Sequence, residues 1–341
     1  MNTHLYLLLF SLSLFSSSSI SPSLAQAAVH CNPKDYRALL KIKKSLNNPS
    51  HLSSWIPNTD CCNWQHVDCQ YPQTNRISKL AIFSGEISGQ ISPSISDLTH
   101  LETLILQNIT NLTGSIPPSM ANLHHLEMLW ISHTSLSGPI PNFLNQLPDL
   151  YYLDLSFNQF SGSIPPNLSD LKNLESLHLE GNKLTGSIPE SFGRFNMGSI
   201  PNLYLFQNQI SGPIPKSLGD VDFEVLDLSR NRIVGDGSML FNPDHKKMRS
   251  IDLSWNQLEF DFTKVKSFPK SLNGLDISHN KIYGRLPEGI NGISELLFLN
   301  VSYNRLCGKI PSGGKLQDFE KSSFIHNKCL CGPPLLPCKK F

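Results

Sequence analysis

One period organises this chain. Aligned on its Leu-x-Leu pairs, the first apolar residue falls at Leu80, Leu104, Leu129, Leu153, Leu177, Leu203, Leu226, Ile251, Leu275 and Leu299. The 219 residues from first to last make nine intervals averaging about 24 residues. Self-similarity at a fixed period of this size marks a repeat array. A unit so short cannot bury its own apolar side, so neighbours must stack into a continuous core. The 341 residues therefore do not divide into two ordinary globular domains.

The fullest copies, LYYLDLSFNQFSGSIPPNLSDLKN and LESLHLEGNKLTGSIPESFGRF, explain the residue types. Leu153 and Leu155 alternate inward on a short strand, and Asp154 between them points out. The asparagine that follows (Asn158, Asn182, Asn208, Asn231, Asn256, Asn280, Asn304) can bond backbone groups that stacking would otherwise bury unpaired. Gly-x-Ile-Pro bends the chain, because Gly admits unusual φ and Pro lacks a donor. The expectation is an α/β solenoid. About ten leucine-rich repeats over residues 77–319 form a right-handed, curved superhelix with a parallel β-sheet on its concave face.

Both ends of such an array need capping. Residues 1–25 read as a secretory signal peptide, with an apolar run from Leu5 to Leu14 and the small-residue site Ser23-Leu24-Ala25. Residues 26–76 are expected to form an N-terminal cysteine-rich cap and residues 320–341 a C-terminal one. Asn32 caps a helix that has Pro33 in its first turn and runs to about Leu46, with Tyr36, Leu39, Leu40 and Leu46 inward. Trp55 and Trp64 cover the first coil. The eight cysteines fall only at the ends: Cys31, Cys61, Cys62 and Cys69, then Cys307, Cys329, Cys331 and Cys338. Disulfides within each group leave three pairings at each end, and they fit an oxidising, extracellular setting. Neither group has zinc-ligand spacing, so no metal is expected.

Charge excludes several classes of function. Lys and Arg number 28 and Asp and Glu 27, a net charge of +1. No broad electrostatic grip on nucleic acid or on a membrane surface follows from that balance. No catalytic or dinucleotide motif occurs, so the chain is expected to be neither an enzyme nor a cofactor carrier. Four glycosylation sequons begin at Asn108, Asn111, Asn167 and Asn300.

The variant Leu-x-Gly-x-Ile-Pro, the DCCNW segment (Asp60 to Trp64) and the tail NKCLCGPPLLPC (Asn327 to Cys338) resemble plant extracellular leucine-rich repeat proteins. Among these the chain is similar to the polygalacturonase-inhibiting proteins of the plant cell wall, over essentially its whole mature length. A plant antifreeze protein shares the scaffold. The segment from Phe195 to Pro201 departs from the usual spacing in the fifth repeat. The resemblance implies a secreted, monomeric defence protein that binds fungal endo-polygalacturonase, with pectin of the cell wall as a further partner. The concave face would cover a substrate cleft that handles an anionic polymer and is therefore basic. Residues expected there are Trp130, His133, Asp154, Phe157, His178, Glu180, Tyr204, Asp227, Asp252 and Asp276, an acidic and aromatic strip with its side chains in solvent. The alternatives are an ice-binding protein, which needs a regular ladder of Thr or Asn, and a free receptor-like ectodomain that binds a peptide.

Overall fold

The computed structural model describes residues 31–70, 74–195 and 202–339. The expected signal peptide and most of the irregular fifth-repeat segment lie outside these residues. Among the described residues an eleven-stranded sheet runs the length of the molecule. Ten strands, from Ile77–Phe83 to Phe298–Asn300, are parallel. Their register sets Leu80, Leu104, Leu129, Leu153, Leu177, Leu203, Leu226, Ile251, Leu275 and Leu299 side by side. All ten are buried. The 24-residue period and the strand register are one fact seen twice. The eleventh strand, Val67–Cys69, pairs antiparallel with Ile77–Phe83 and covers the first edge, which would otherwise be open to further pairing.

Behind this sheet each coil lays down a second short strand, such as Gln159–Ser163 or Arg232–Gly235. They form one sheet of five strands and two of three. The glycine of Leu-x-Gly-x-Ile-Pro ends the strand with positive φ, as at Gly162 (81°) and Gly308 (103°). Sequence reading took this element for a bend only. The Pro that follows opens a five-residue 3₁₀ turn, for example Pro166–Asp170. A segment so short closes i→i+3 bonds more readily than a full α-turn. The single α-helix among the described residues, α1, is Pro33–Ser45.

Asn32 caps α1 by accepting the Lys34 N–H at 2.9 Å. Its inward face is displaced from the expected one. Ala38, Leu39 and Ile42 are buried, while Tyr36 and Leu40 are only half-buried. The displacement has a polar cause, because Asp35 is fully buried. Its carboxylate takes a bidentate pair from Arg76 (2.9 and 2.8 Å) and the Ile77 N–H at 2.9 Å. This ties the helix to the first coil. Trp55 and Trp64 stack with ring centroids 5.6 Å apart beneath it. Disulfides join Cys31 to Cys61, Cys62 to Cys69, Cys307 to Cys329 and Cys331 to Cys338.

The asparagines between coils are buried (Asn158, Asn182, Asn208, Asn304) or half-buried (Asn231, Asn256, Asn280), and fully used. Asn182 donates through Nδ2 to the carbonyls of Leu179, Glu180 and, one coil earlier, Leu155. Its Oδ1 accepts the Phe160 N–H at 3.0 Å. Asn208, Asn231, Asn256, Asn280 and Asn304 repeat this pattern. Asn327, in the closing segment, does the same for the last coil. The early coils carry Ile109 and Thr134 at this position.

Candidate functional site

The position between the two inward leucines forms a row along the open face of the long sheet. Strand register sets Trp130, Asp154, His178, Tyr204, Asp227, Asp252, Asp276 and Asn300 next to one another in that order. Eight of the ten expected binding residues fall in or directly beside it. His133 and Phe157 stand one step further along the chain, at the strand exits.

The acidic residues of this row are not in solvent. Asp154 is 5% exposed and Glu180 6%, and Asp227, Asp252 and Asp276 are half-buried. Two local causes act. Each aspartate bends back along its own strand so that Oδ1 accepts a backbone N–H two residues on: Ser156 at 2.8 Å, Ser229 and Ser254 at 2.9 Å, Ser278 at 2.8 Å. Around Asp154 and Glu180 rings pack closely as well, with Tyr152 and His178 5.3 Å apart and His178 stacked on Tyr204 at 4.4 Å. The Leu-Asp-Leu-Ser motif thus has a backbone role in every copy, and its charge is held partly dry. Asn300 accepts the Ser302 N–H in the same way at 3.2 Å, so the geometry needs an oxygen and not a charge.

Glu180 occupies the place that other coils give to a small residue such as Ser156 or Ser229. Its Oε1 lies 3.4 Å from His178 Nδ1, and its Oε2 is buried with no hydrogen-bond partner. The other ring nitrogen of His178 meets Ser176 Oγ at 2.8 Å. Tyr152 Oη donates to Asp154 at 3.4 Å. Tyr152 and Ser176 were missed in the sequence because they precede the Leu-x-Leu pair. Alternation nonetheless puts them on the same face as Asp154 and His178.

Burial raises the carboxyl pKa of Glu180, with His178 opposing the effect. Desolvation and then the Asp252 charge push Asp227 up to about 6, against hydrogen bonds from Ser229. Asp252 and Asp276 rise for the same first reason. The folded chain thus holds the Asp227 proton more tightly than the unfolded chain does. Stability falls as pH rises from the ordinary aspartate value, 3.8, through about 6. An Asp227→Asn variant lacks this loss. Its thermal midpoint, measured by calorimetry from pH 4 to 7, is expected to gain on the parent as pH rises. A constant difference across that range would contradict the desolvation of Asp227.

At the strand exits a second row runs beside the first. The residue before each ladder position has left-handed φ, for example His133 (53°, before Thr134), Phe157 (51°), Arg230 (53°), Trp255 (54°), His279 (53°) and Tyr303 (52°). The same conformation in successive coils stacks the side chains. His133 lies on Phe157 at 4.4 Å. Arg230 covers Trp255, which stacks on His279 at 3.7 Å, and Tyr303 and His326 continue the pile at 4.1 Å each. Side chains in this conformation are uncommon, and where it recurs the surrounding structure over-determines it.

The sequons are placed differently from one another. Asn108 and Asn111 are exposed. Asn167 donates to the Asn142 carbonyl at 2.8 Å. Asn300 lies in the acidic row and donates to Asp276 at 3.3 Å.

No helix among the described residues is long and apolar enough to cross a membrane. Residues 32–70 match the family model of the leucine rich repeat N-terminal domain, and residues 125–147, 149–171 and 173–195 match that of the leucine rich repeat. The chain is 60% identical to a polygalacturonase inhibitor of Vitis vinifera, over 93% of each chain. It is 58% identical to a polygalacturonase inhibitor of Pyrus communis, over 96% of this chain and 97% of the other. Among solved structures it resembles a plant ice-binding protein, with a TM-score of 0.87 and 47% identity over 91% of this chain and 99% of that one.

Proposed function

The chain belongs to the polygalacturonase-inhibitor family of leucine-rich repeat proteins, and on that footing we propose that it is a secreted protein that blocks fungal endo-polygalacturonase with the open face of its long sheet. The observation that supports this reading is the row Asp227, Asp252, Asp276, three carboxylates in register on adjacent strands and already half-buried in the free protein. Much of the desolvation that opposes a charged interface is therefore borne at folding. A cleft built to hold a polyanionic substrate presents cations, and these would compensate the row when it is covered. The stacked row with Trp255 and Tyr303, both exposed by more than two-fifths, supplies the aromatic surface that interface hot spots use.

The protein thus acts on an enzyme rather than as one. It would work as a monomer in the cell wall, where pectin, the enzyme's substrate, surrounds it. An ice-binding role is not favoured, because the row Trp, Asp, His, Tyr, Asp, Asp, Asp, Asn has no regular ladder of like side chains.

The test is a titration of the purified protein into a fungal endo-polygalacturonase hydrolysing polygalacturonate. Inhibition that saturates near one protein per enzyme is the expected result. A panel of such enzymes with none inhibited would refute the reading.

A further inference from the structure

Between Pro166–Asp170 and Ser176–His178, as in most coils, five residues lead from the 3₁₀ turn to the next strand of the long sheet. Eight do so between Ser238–Phe241 and Ser250–Asp252. The extra length, within residues 242–249, is folded around one side chain. His245 is 5% exposed, and both of its ring nitrogens are buried without a hydrogen-bond partner. Buried polar atoms are paired with few exceptions, so a ring with neither nitrogen bonded calls for an explanation. Among the described residues His245 belongs to no group of three or more side chains placed to hold a metal ion.

The turn is held from the preceding coil. Asp222 accepts the Lys246 N–H through Oδ2 at 3.0 Å and the Lys247 N–H through Oδ1 at 3.1 Å. Asn242 accepts the Asp244 N–H through its side chain at 3.0 Å and the His245 N–H through its carbonyl at 3.2 Å. With these bonds made, the imidazole is sealed from solvent. The Gly219 carbonyl is the backbone acceptor beside the ring. Gly219 has no room to adjust, because a Cβ there would lie 2.8 Å from the Met239 carbonyl oxygen of the next coil.

A neutral imidazole presents one donor and one acceptor, whereas the protonated ring presents two donors and a charge. The charges that face it are Asp222 and Asp220 from the preceding coil and Asp244 on its own turn, and all three favour the proton. Lys246 and Lys247 follow on the same turn. Burial opposes the proton and prevails, holding the ring's pKa below its ordinary 6.5. Both Asp222 oxygens already hold the turn, so an imidazolium that moves to them competes with the Lys246 and Lys247 N–H groups.

We propose that His245 is an acid-operated latch on residues 242–249. Neutral, it keeps the turn closed; protonated, it leaves its seat and the turn opens. An open turn binds the proton at the ordinary pKa, and the closed turn binds it only at lower pH. The closed state is therefore fully favoured above pH 6.5 and loses stability as pH falls below that value. This direction is opposite to that of Asp227. The opening reaches the long sheet, because Arg249 leads straight into Ser250–Asp252, the strand that carries Asp252. The latch does not depend on the inhibitor reading.

The experiment follows amide hydrogen exchange of the full chain by mass spectrometry from about pH 7 to about pH 4.5, with rates corrected for the intrinsic pH dependence of exchange. Peptides covering residues 242–249 are expected to lose protection several-fold relative to residues 166–175, the corresponding segment of a coil with no histidine there. His245→Phe, which keeps a ring that cannot charge, should abolish the loss. Equal loss in parent and variant, loss spread evenly over all coils, or no loss in the parent overturns the latch. Should His245→Phe fail to fold, the His245 ring signal of the parent in an NMR titration decides. A midpoint below 6.5 that coincides with the loss of protection is expected, and one at or above 6.5 overturns the proposal.

Discussion

Replacing Asp227, Asp252 and Asp276 together by asparagine is expected to weaken inhibition of fungal polygalacturonase by about a hundredfold or more, with the thermal midpoint unchanged or raised. The substitution separates the two things these residues do. Their Oδ1 atoms accept the N–H groups of Ser229, Ser254 and Ser278, and asparagine keeps that oxygen, as Asn300 shows in the last coil. What disappears is the charge. Close charge pairs across an interface couple by ~1.5–7 kcal/mol, and each ~1.4 kcal/mol is tenfold in affinity. Two such pairs suffice for the stated loss. Stability should not fall, because burial already disfavours the ionised forms. Lysine at these positions would be a poorer test, since it also removes the acceptor and leaves a buried N–H unpaired. Inhibition constants and thermal midpoints measured on the same preparations decide the matter. Retained inhibition by the triple variant would end the acidic-row mechanism while leaving the family assignment intact.

Asn158→Ala is expected to be the most damaging single change in the core of the array. The Asn158 amide donates to the carbonyls of Ile131 (2.7 Å), Leu155 and Ser156 (3.0 Å each). Its oxygen accepts from both the N–H and the hydroxyl of Thr134. Alanine orphans buried groups on two coils at once. At ~1–3 kcal/mol for each unsatisfied group, the loss is roughly 4 kcal/mol or more. In a chain of this size that lowers the midpoint by roughly 10 °C. Calorimetry measures it. A shift under about 2 °C would show that water or relaxation replaces the bonds and that the ladder is dispensable at this position.

The array was legible because its signal is redundant. Ten copies of one apolar pair, each forced inward by period 2, leave no other register for Leu80 to Leu299. The ladder asparagines were legible for the same reason, since a buried amide needs the partners that stacking supplies. Less was legible where the outcome depends on the neighbouring coil. Leu-Asp-Leu-Ser shows an outward aspartate, but nothing in it says that Tyr152, two residues earlier, and His178, on the adjacent strand, will help to close over Asp154. The left-handed exits carry no residue signature either. His133, Phe157, Arg230 and Trp255 share a conformation imposed by the turn, and of these exits only Gly181 would announce it. The second sheet was hidden because its two or three residues before each glycine look like the approach to a bend. Asp35 gave no warning, because its partner Arg76 lies 41 residues away.

Each ladder asparagine binds its own coil and the one before it, never the one after. The molecule therefore has a grain. Every coil is completed by its successor, and the closing segment, through Asn327, ends this dependence rather than merely covering apolar surface. Such a chain can grow or shrink by whole coils at little risk, because a duplicated coil brings the amide its predecessor requires and offers its successor the same backbone groups. Insertion of part of a coil breaks the relation at once. The breadth of the recognition face can thus change in steps of one strand, with Asp227, Asp252 and Asp276 carried along intact, and heredity edits this surface in units of about 24 residues.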